Sequence, residues 1–176
     1  MDAFKFALDW VFQDEGGFSN DVQDHGGATK YGITIGDLSE WRGRSCSVQE
    51  VRDLTQDEAS RIYLAKYWLP ISLDKILNPY VAAAIFDIGV VRGISTGAKY
   101  AQMTCCELGH TVTVDRHIGP KSIVAINMCP QRDFVLNFAQ LAEEGFRSIV
   151  DSNPSQRVFL RGWMRRADRI RELASK

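Results

Sequence analysis

The sequence predicts a mainly helical fold with one small β-hairpin near residues 17–33. Apolar residues recur at helical spacing along most of the chain, and proline or glycine separates the segments that show this spacing. β-structure is plausible only near residues 17–33 and 110–118. With 176 residues and 45% hydrophobic content, the chain can bury a core as one large domain or as two small ones.

The helices of the first half are predicted from apolar faces and capping residues. A first amphipathic helix is predicted from residue 3 to about residue 14, with an apolar face made by Phe4, Ala7, Leu8, Val11 and Phe12. Capping residues predict three further starts, at Thr34, at Ser47 with Glu50, and at Thr55 with Glu58. The last of these helices covers residues 56–68. Asn78-Pro79 opens another helix, which runs to about Gly89.

The second half is predicted to be helical as well, with one short exception. Helices are expected over residues 96–108, 120–128, 130–150 and 154–174, and most of them begin at a proline. Residues 110–114 alternate with the strand period and predict a short, weak strand. The mostly helical pattern therefore continues to the end of the chain.

Residues 14–34 concentrate glycine and carboxylate residues, and neither helical nor strand periodicity covers them. They read D-E-G-G-F-S-N-D-V-Q-D-H-G-G-A-T-K-Y-G-I-T. Glycine permits close backbone approach, which suits a loop that faces a substrate, although Asn, Asp and Gly are also ordinary turn residues. Glu15 is predicted at the last turn of the first helix, where the helix dipole and partial burial would both raise its pKa. A general acid that works near neutral pH needs this shift.

The pattern E-G-G-x₆-D-x-G-G-x-T-x-x-G-I-T resembles the signature of glycoside hydrolase family 108. The likeness continues through Trp41-Arg42, Tyr63, Tyr67-Trp68, Phe86-Asp87, Asp115 to Pro120, and Arg161-Gly162-Trp163. This resemblance implies a lysozyme-like fold and N-acetylmuramidase activity, as in phage endolysins and bacterial secretion-activator proteins. It also implies that Glu15 is the catalytic glutamate. Asp14 replaces the usual histidine of the family, and Val91 replaces its usual asparagine.

Other residues of the same stretch are candidates for catalysis or sugar binding. Asp24 serves either as a second carboxylate that stabilises the anomeric centre or orients water, or as a turn residue before Gly26-Gly27. Thr34 is a candidate catalytic residue and equally a helix N-cap. Thr29, Tyr31 and His25 are the candidate substrate-binding residues. Trp41 and Trp68 are also candidate sugar platforms, but core packing is the more common role of such residues.

The second half contains a turn, Asp115-Arg-His-Ile-Gly-Pro120, that is similar to the D-G-x-x-G-P turn of peptidoglycan-binding modules. The resemblance implies that Asp115 contributes to substrate binding, although Arg116 replaces the usual glycine. We therefore expect two domains, a catalytic region at 1–90 and a helical peptidoglycan-binding region at 91–176.

Charge is distributed unevenly along the chain. Residues 1–90 hold 8 Lys/Arg against 14 Asp/Glu, whereas residues 91–176 hold 13 against 8. Seven of the basic residues lie between residues 155 and 176, which suggests either a solvated helix face or attraction to anionic wall or outer-membrane polymers. Interleaved aromatics typical of a single-strand groove are missing, so we expect no nucleic-acid partner. Peptidoglycan glycan strands are the expected partner, and the chain is expected to be a monomer.

Four cysteines and three histidines lack the spacing of metal ligands. We therefore expect neither metal nor cofactor. Cys105 and Cys106 are adjacent, and adjacent cysteines seldom bridge each other, so we expect free thiols. A Cys/His peptidase is an alternative that no local nucleophile motif supports. No export signal is recognisable in the sequence, so the expected route is synthesis in the cytoplasm and release to the periplasm by a phage holin.

Three classes of function are consistent with these patterns. The first is a muramidase that cleaves the β-1,4 bond between N-acetylmuramic acid and N-acetylglucosamine, with Glu15 as the acid. A lytic transglycosylase acts on the same bond with the same acid, but the 6-hydroxyl of the sugar attacks. These two enzymes form the first class. The second class is a non-catalytic cell-wall-binding or secretion-assisting protein, and the third is a non-catalytic binder of anionic polymers.

Overall fold

The computed structural model describes residues 2–13, 17–20 and 27–176. In these residues the α-helices are α1 (Ala3–Phe12), α2 (Ile35–Arg42), α3 (Val48–Arg52), α4 (Gln56–Tyr63), α5 (Pro79–Arg92), α6 (Ile94–Glu107), α7 (Pro120–Met128), α8 (Gln131–Ser152) and α9 (Arg157–Glu172). Short 3-10 or π-helical turns cover Leu64–Trp68, Leu69–Ile71, Leu73–Lys75, Pro154–Gln156 and Leu173–Ser175. Strands β1 (Thr29–Lys30) and β2 (Ile33–Thr34) form an antiparallel hairpin. The predicted mainly α, lysozyme-like fold with a small hairpin is confirmed.

The chain divides into two compact units, one of residues 8–66 and one of residues 1–7 with 67–176. The first unit contains the hairpin and α2 to α4, and its core includes Ile33, Leu38, Val51 and Ile62. The predicted domains, 1–90 and 91–176, follow a different division and stay a prediction.

Helix α5 is the centre of the second unit. Every residue from Val81 to Gly89 is buried, and the helix packs against both α6 and α8. A helix that is apolar on all sides is expected to be enclosed by others. Its start follows from local chemistry, because Asn78 Oδ1 accepts hydrogen bonds from the backbone N–H groups of Tyr80 and Val81. Within this enclosed helix, the Asp87 carboxylate pairs with Arg166 of α9 at 3.2 Å.

Helices α5 and α6 approach closely at Gly97. A Cβ on Gly97 would lie 2.9 Å from the carbonyl oxygen of Ile85 and 3.2 Å from the backbone nitrogen of Gly89. We expect Gly97→Ala to lower the free energy of unfolding by about 1–3 kcal/mol, because the helices must separate to admit the methyl group. Urea unfolding followed by circular dichroism measures this loss.

Gly162→Ala is the matched control for this substitution. Gly162 lies on the exposed side of α9, and a Cβ there meets nothing within 4 Å. The same added methyl group should raise stability by about 0.5–1 kcal/mol, because alanine favours the helix. Equal unfolding midpoints for the two variants would contradict the close approach of α5 and α6.

The predicted strand at residues 110–114 is wrong. Residues 110–118 form an irregular loop with a bend at Asp115-Arg116, and within the described chain none of them takes part in β-sheet pairing. Alternation alone does not make a strand where no partner strand is available. Helix α4 also ends at Tyr63, because the last turn of the predicted helix is π-helical.

The cysteines of the described chain are all free thiols. Cys105 and Cys129 are buried with their sulfur atoms 3.9 Å apart, and burial raises the pKa of the Cys105 thiol. Cys106 is exposed. Within the described ranges, no helix combines the length and the apolar composition that a membrane span requires.

Candidate functional site

The candidate site residues divide into those that the structure describes and those that it does not. Glu15, Asp24 and His25 lie outside the described residues. Their predicted roles as acid, second carboxylate and substrate contact therefore stay predictions. Thr29, Tyr31, Thr34 and Asp115 lie within the described residues.

The hairpin that follows the glycine-rich stretch has a two-residue turn. Thr29 is paired with Thr34 and Lys30 with Ile33, which leaves Tyr31 and Gly32 as the turn. Both have positive φ, 53° for Tyr31 and 73° for Gly32. Turns of this type match the twist of the two strands and favour glycine at the second position. Thr29 also exchanges two backbone hydrogen bonds with Ser19, at 2.8 and 2.9 Å, so the described segment 17–20 pairs with the hairpin.

Tyr31 is held in place from several sides. Its ring centroid lies 5.6 Å from that of Phe12, at the end of α1, and Lys30 Nζ lies 5.3 Å from its centroid. The hydroxyl of Tyr63 donates a hydrogen bond of 2.9 Å to the backbone carbonyl of Tyr31. The residue adopts a left-handed backbone that a side chain rarely favours, so these contacts fix its orientation. A fixed, half-buried aromatic ring at a turn is suitable for stacking on a sugar.

Thr34 forms the N-cap of α2. Its hydroxyl donates to Asp37 Oδ2 at 2.7 Å and accepts from the backbone N–H of Asp37 at 3.0 Å. The Asp37 carboxylate also accepts from the backbone N–H of Thr34, which completes a capping box. The capping alternative is therefore present, and a catalytic role for Thr34 stays a prediction.

We expect Thr34→Ala to lower the free energy of unfolding by about 1 kcal/mol, because it removes both hydroxyl hydrogen bonds of the cap. Thr34→Ser, which keeps the hydroxyl, should retain most of this stability. Thermal unfolding of the two variants measures the difference. Turnover of folded Thr34→Ala then tests the catalytic role separately, since a cap affects stability alone. Unchanged stability in Thr34→Ala would contradict the capping contribution.

The two candidate tryptophans differ in their surroundings. Trp68 is buried and makes edge-on contacts with Phe4 and Phe86, at centroid distances of 5.3 and 5.5 Å. It is therefore a core residue of the second unit. Trp41 is among the exposed aromatic side chains of the described chain. It remains a candidate platform.

Arg42 organises the helices beside the hairpin, a role that was not predicted from the sequence. Its guanidinium binds both carboxylate oxygens of Glu58, at 3.0 and 2.8 Å, and also Glu50 at 3.0 Å. The pKa of Glu50 is lowered to about 2. The largest cause is the hydrogen bond from the Arg44 guanidinium, and the next is the hydrogen bond from the backbone N–H of Ser47. Arg42 thus ties α2 to both α3 and α4. The sequence contains one indication of this role, because Glu50 and Glu58 each occupy the third position of a capped helix and are therefore acidic partners at neighbouring helix starts.

Asp115 closes the loop before α7. Its Oδ1 accepts from Gln102 Nε2 at 2.7 Å and from the backbone N–H of His117 at 2.9 Å. These hydrogen bonds, that from Gln102 first, lower the pKa of Asp115. Gln102 is buried, and its side-chain carbonyl accepts from the backbone N–H of Arg116 at 2.9 Å. Arg116 has a φ of 67°, so arginine adopts the left-handed conformation for which the resembling motif uses glycine.

A cleft of about 470 Å³ lies beside this loop, and Asp115, His117 and Lys121 are among its lining residues. Asp115 therefore both holds the loop and faces the cleft. Its predicted contact with substrate stays a prediction.

The basic C-terminal segment is only partly available to a partner. Arg166 is buried against Asp87, and Arg171 pairs with Glu143 and Asp168. Burial lowers the pKa of Arg169. The exposed basic stripe of α9 is Arg157, Arg161 and Arg165, which are spaced four residues apart and therefore share one helix face.

Comparisons with known proteins cover nearly the whole chain. The family model described as glycosyl hydrolase 108 matches residues 8–93, and the model described as predicted peptidoglycan domain matches residues 96–168. The solved structure titled "Structure of Brucella abortus SagA" is 30% identical, with a TM-score of 0.80, and the alignment covers 98% of this chain and 93% of that one. No curated protein sequence matches the chain. The chain therefore belongs to the glycosyl hydrolase 108 family and is a glycoside hydrolase that acts on peptidoglycan.

Proposed function

We propose that the protein is an N-acetylmuramidase in which Glu15 is the general acid. The supporting observation is the hairpin of β1 and β2, which lies in the same sequence stretch as the E-G-G motif and whose Thr29 pairs with Ser19, two residues after that motif. Helix α1 ends at Phe12, three residues before Glu15 in the sequence. The chain thus has a helix, a glutamate and a hairpin in the order expected of a lysozyme-like site.

In the proposed reaction, the Glu15 carboxyl group protonates the glycosidic oxygen as the bond to the anomeric carbon breaks. Positive charge then develops at the sugar ring, and a carboxylate or an activated water must meet it. Asp24 is the proposed partner for this step. The ring of Tyr31, fixed by Phe12 and Tyr63, provides an aromatic face for the sugar.

Asp24→Asn tests the role of Asp24, because asparagine keeps the ability to form a turn but loses the charge. A folded Asp24→Asn variant that loses most of its turnover supports a role in the chemistry. Retained turnover in Asp24→Asn together with lower stability in Asp24→Ala supports a turn residue instead. Fluorescence-monitored unfolding and release of reducing sugar give the two readouts.

We propose that residues 96–168, which match the predicted peptidoglycan domain, hold the enzyme on the cell wall. Two features support this proposal, the cleft beside Asp115 and the exposed basic stripe of α9. The basic stripe suits anionic wall or outer-membrane polymers, and such binding would weaken as salt is added.

Digestion of purified sacculi tests the proposed reaction. Mass spectrometry of the products is expected to find new reducing ends on N-acetylmuramic acid, because water attacks in a hydrolase. Products with 1,6-anhydro ends would reject hydrolysis in favour of the transglycosylase. Reducing ends on N-acetylglucosamine would reject the proposed bond. Binding to sacculi without new ends of any kind would reject catalysis and support the wall-binding alternative.

A further inference from the structure

A second cleft lies within the unit formed by residues 1–7 and 67–176, away from the Asp115 loop. It has a volume of about 560 Å³ and is lined by residues of α6 and α8, by Arg92 at the end of α5, and by Asn153. Pockets for small molecules and short peptides have volumes in this range. The cleft combines an apolar floor, which includes Tyr100 and Leu141, with a charged rim.

The floor of this cleft requires a glycine at position 145, where a side chain would collide with Tyr100. A Cβ at Gly145 of α8 would lie only 1.9 Å from the hydroxyl oxygen of Tyr100 on α6. The phenol of Tyr100 therefore occupies the space that any other residue at position 145 would fill. Because Tyr100 is itself buried and its ring packs edge-on against Phe138, at a centroid distance of 6.3 Å, the floor is a fixed part of the core.

Two cations line the cleft, and neither forms an ion pair with any residue in the described parts of the chain. Arg92 lies with its guanidinium carbon 5.6 Å from the centroid of Phe146, and its Nη1 atom is buried without a hydrogen-bond partner among these residues. Lys99, one turn into α6, lines the same cleft and is half-buried. A buried, unpaired guanidinium nitrogen is costly and is usually satisfied by an acceptor.

We infer that this cleft binds a carboxylate-bearing peptide, which in the wall is the peptide stem of peptidoglycan. The inference deepens the proposed function and rests on it, since it assigns recognition of the stem to a site separate from the sugar chemistry. In peptidoglycan the glycan carboxyl group is joined to the stem as an amide, so the free carboxylates belong to the peptide. Arginine binds a carboxylate through two parallel N–H donors, and lysine adds a point charge.

The remaining charge at the cleft fits the same ligand. Glu144 of α8 lines the cleft and accepts a hydrogen bond of 3.0 Å from Gln140, while it stays exposed. Stem peptides carry a diamino acid whose free amine is a cation, and Glu144 provides the matching anion. Two cations and one carboxylate around an apolar floor are thus complementary to a short peptide that has both kinds of charge. A simple phosphate would use the cations alone.

The experiment is calorimetric titration of the full chain with a free stem tetrapeptide, with the same peptide in which the carboxylates are amidated, and with inorganic phosphate. We expect the free peptide to bind and the amidated peptide to bind at least about ten-fold more weakly. Arg92→Gln and Lys99→Gln should each lower the affinity for the free peptide by about ten-fold or more. Arg132→Gln removes an exposed charge elsewhere on α8 and should leave this affinity unchanged.

The outcomes separate this inference from the proposed activity. Circular dichroism checks that each variant is folded. Lys99→Gln tests the inference if Arg92→Gln unfolds, because the Arg92 guanidinium packs on the ring of Phe146 and its removal could disturb the core. Failure of the free peptide to bind, or equal affinity for both peptides, overturns the inference even if sacculi are still cleaved. Phosphate binding without peptide binding also overturns it and favours an anionic polymer. Peptide binding that depends on Arg92 and Lys99 supports the inference even if no glycosidic bond is cut.

Discussion

Arg166→Met is expected to lower the free energy of unfolding by about 3–5 kcal/mol, the usual cost of removing one partner of a buried ion pair. Asp87 is 0% exposed and the Arg166 side chain is 10% exposed, and the Oδ1 and Nη1 atoms lie 3.2 Å apart. Methionine fills much of the volume of the arginine stem, so the loss is mainly electrostatic. The Asp87 carboxylate would remain inside α5 without this cation. Urea unfolding at neutral pH measures the change.

Arg61→Met is the matched control, because Arg61 makes an ion pair of 3.2 Å with Asp57 while its side chain is 62% exposed. This variant should change stability by less than about 0.5 kcal/mol, since exposed pairs in helices contribute little. The double variant Asp87→Leu/Arg166→Met should lose less than the two single losses added together, because neither charge is left behind. Additive losses would contradict the pairing, and equal effects in Arg166→Met and Arg61→Met would contradict its burial.

The parts of the fold that depend on neighbouring residues could be predicted from the sequence. Thr34 and Ser47 form complete capping boxes with Asp37 and Glu50, and Thr55 caps α4 by accepting from the backbone N–H of Glu58. In these caps the donor and the acceptor are three residues apart, so the sequence contains the whole interaction. The side chain of Glu58 shows where this reasoning ends. It binds Arg42, sixteen residues away, rather than completing its own box.

Interactions between distant segments could not be predicted in the same way. The pairing of Asp87 with Arg166 joins positions 79 residues apart, and no local spacing indicates it. The strand predicted at residues 110–114 is wrong for the same reason, since these residues belong to the loop at 110–118. Its conformation depends on Gln102, a polar residue buried in α6 whose amide binds Asp115, the carbonyl of His117 and Ser122. Because a buried amide requires hydrogen-bond partners, the conformation of the loop is determined by its hydrogen bonds to Gln102 and not by the alternation of apolar and polar residues within the loop.

The candidate site shows both situations. The positive φ of Gly32 and the short hairpin agree with the glycine spacing of the sequence. Tyr31, however, has a positive φ that its residue type does not favour, and contacts with Phe12 and Tyr63 hold it there. The ion pairs of Arg166 and Arg171 and the partial burial of Arg169 leave Arg157, Arg161 and Arg165 as the exposed basic residues of α9. Composition alone could not predict this, because it counts charges without their partners.

Glu15→Gln is expected to reduce turnover on purified sacculi by about 10²–10⁴-fold, the usual contribution of a general acid. Glutamine has the size and shape of glutamate but no proton to give to the leaving oxygen. The thermal unfolding midpoint and the affinity for sacculi should therefore stay close to those of the unchanged protein. The sacculi assay, repeated over a range of pH, should also show that the alkaline decline of activity is lost, because this decline reports deprotonation of the acid.

Asp14→Asn is the control for this variant, because it removes a carboxylate one residue away in the sequence. This variant should keep most of its turnover. Because a neighbouring anion makes a carboxyl group harder to ionise, removing Asp14 should also shift the alkaline decline of activity to lower pH. A folded Glu15→Gln protein with undiminished turnover would exclude Glu15 as the acid. Equal losses in Glu15→Gln and Asp14→Asn would also contradict the assignment, since they would indicate a requirement for negative charge rather than for a proton donor.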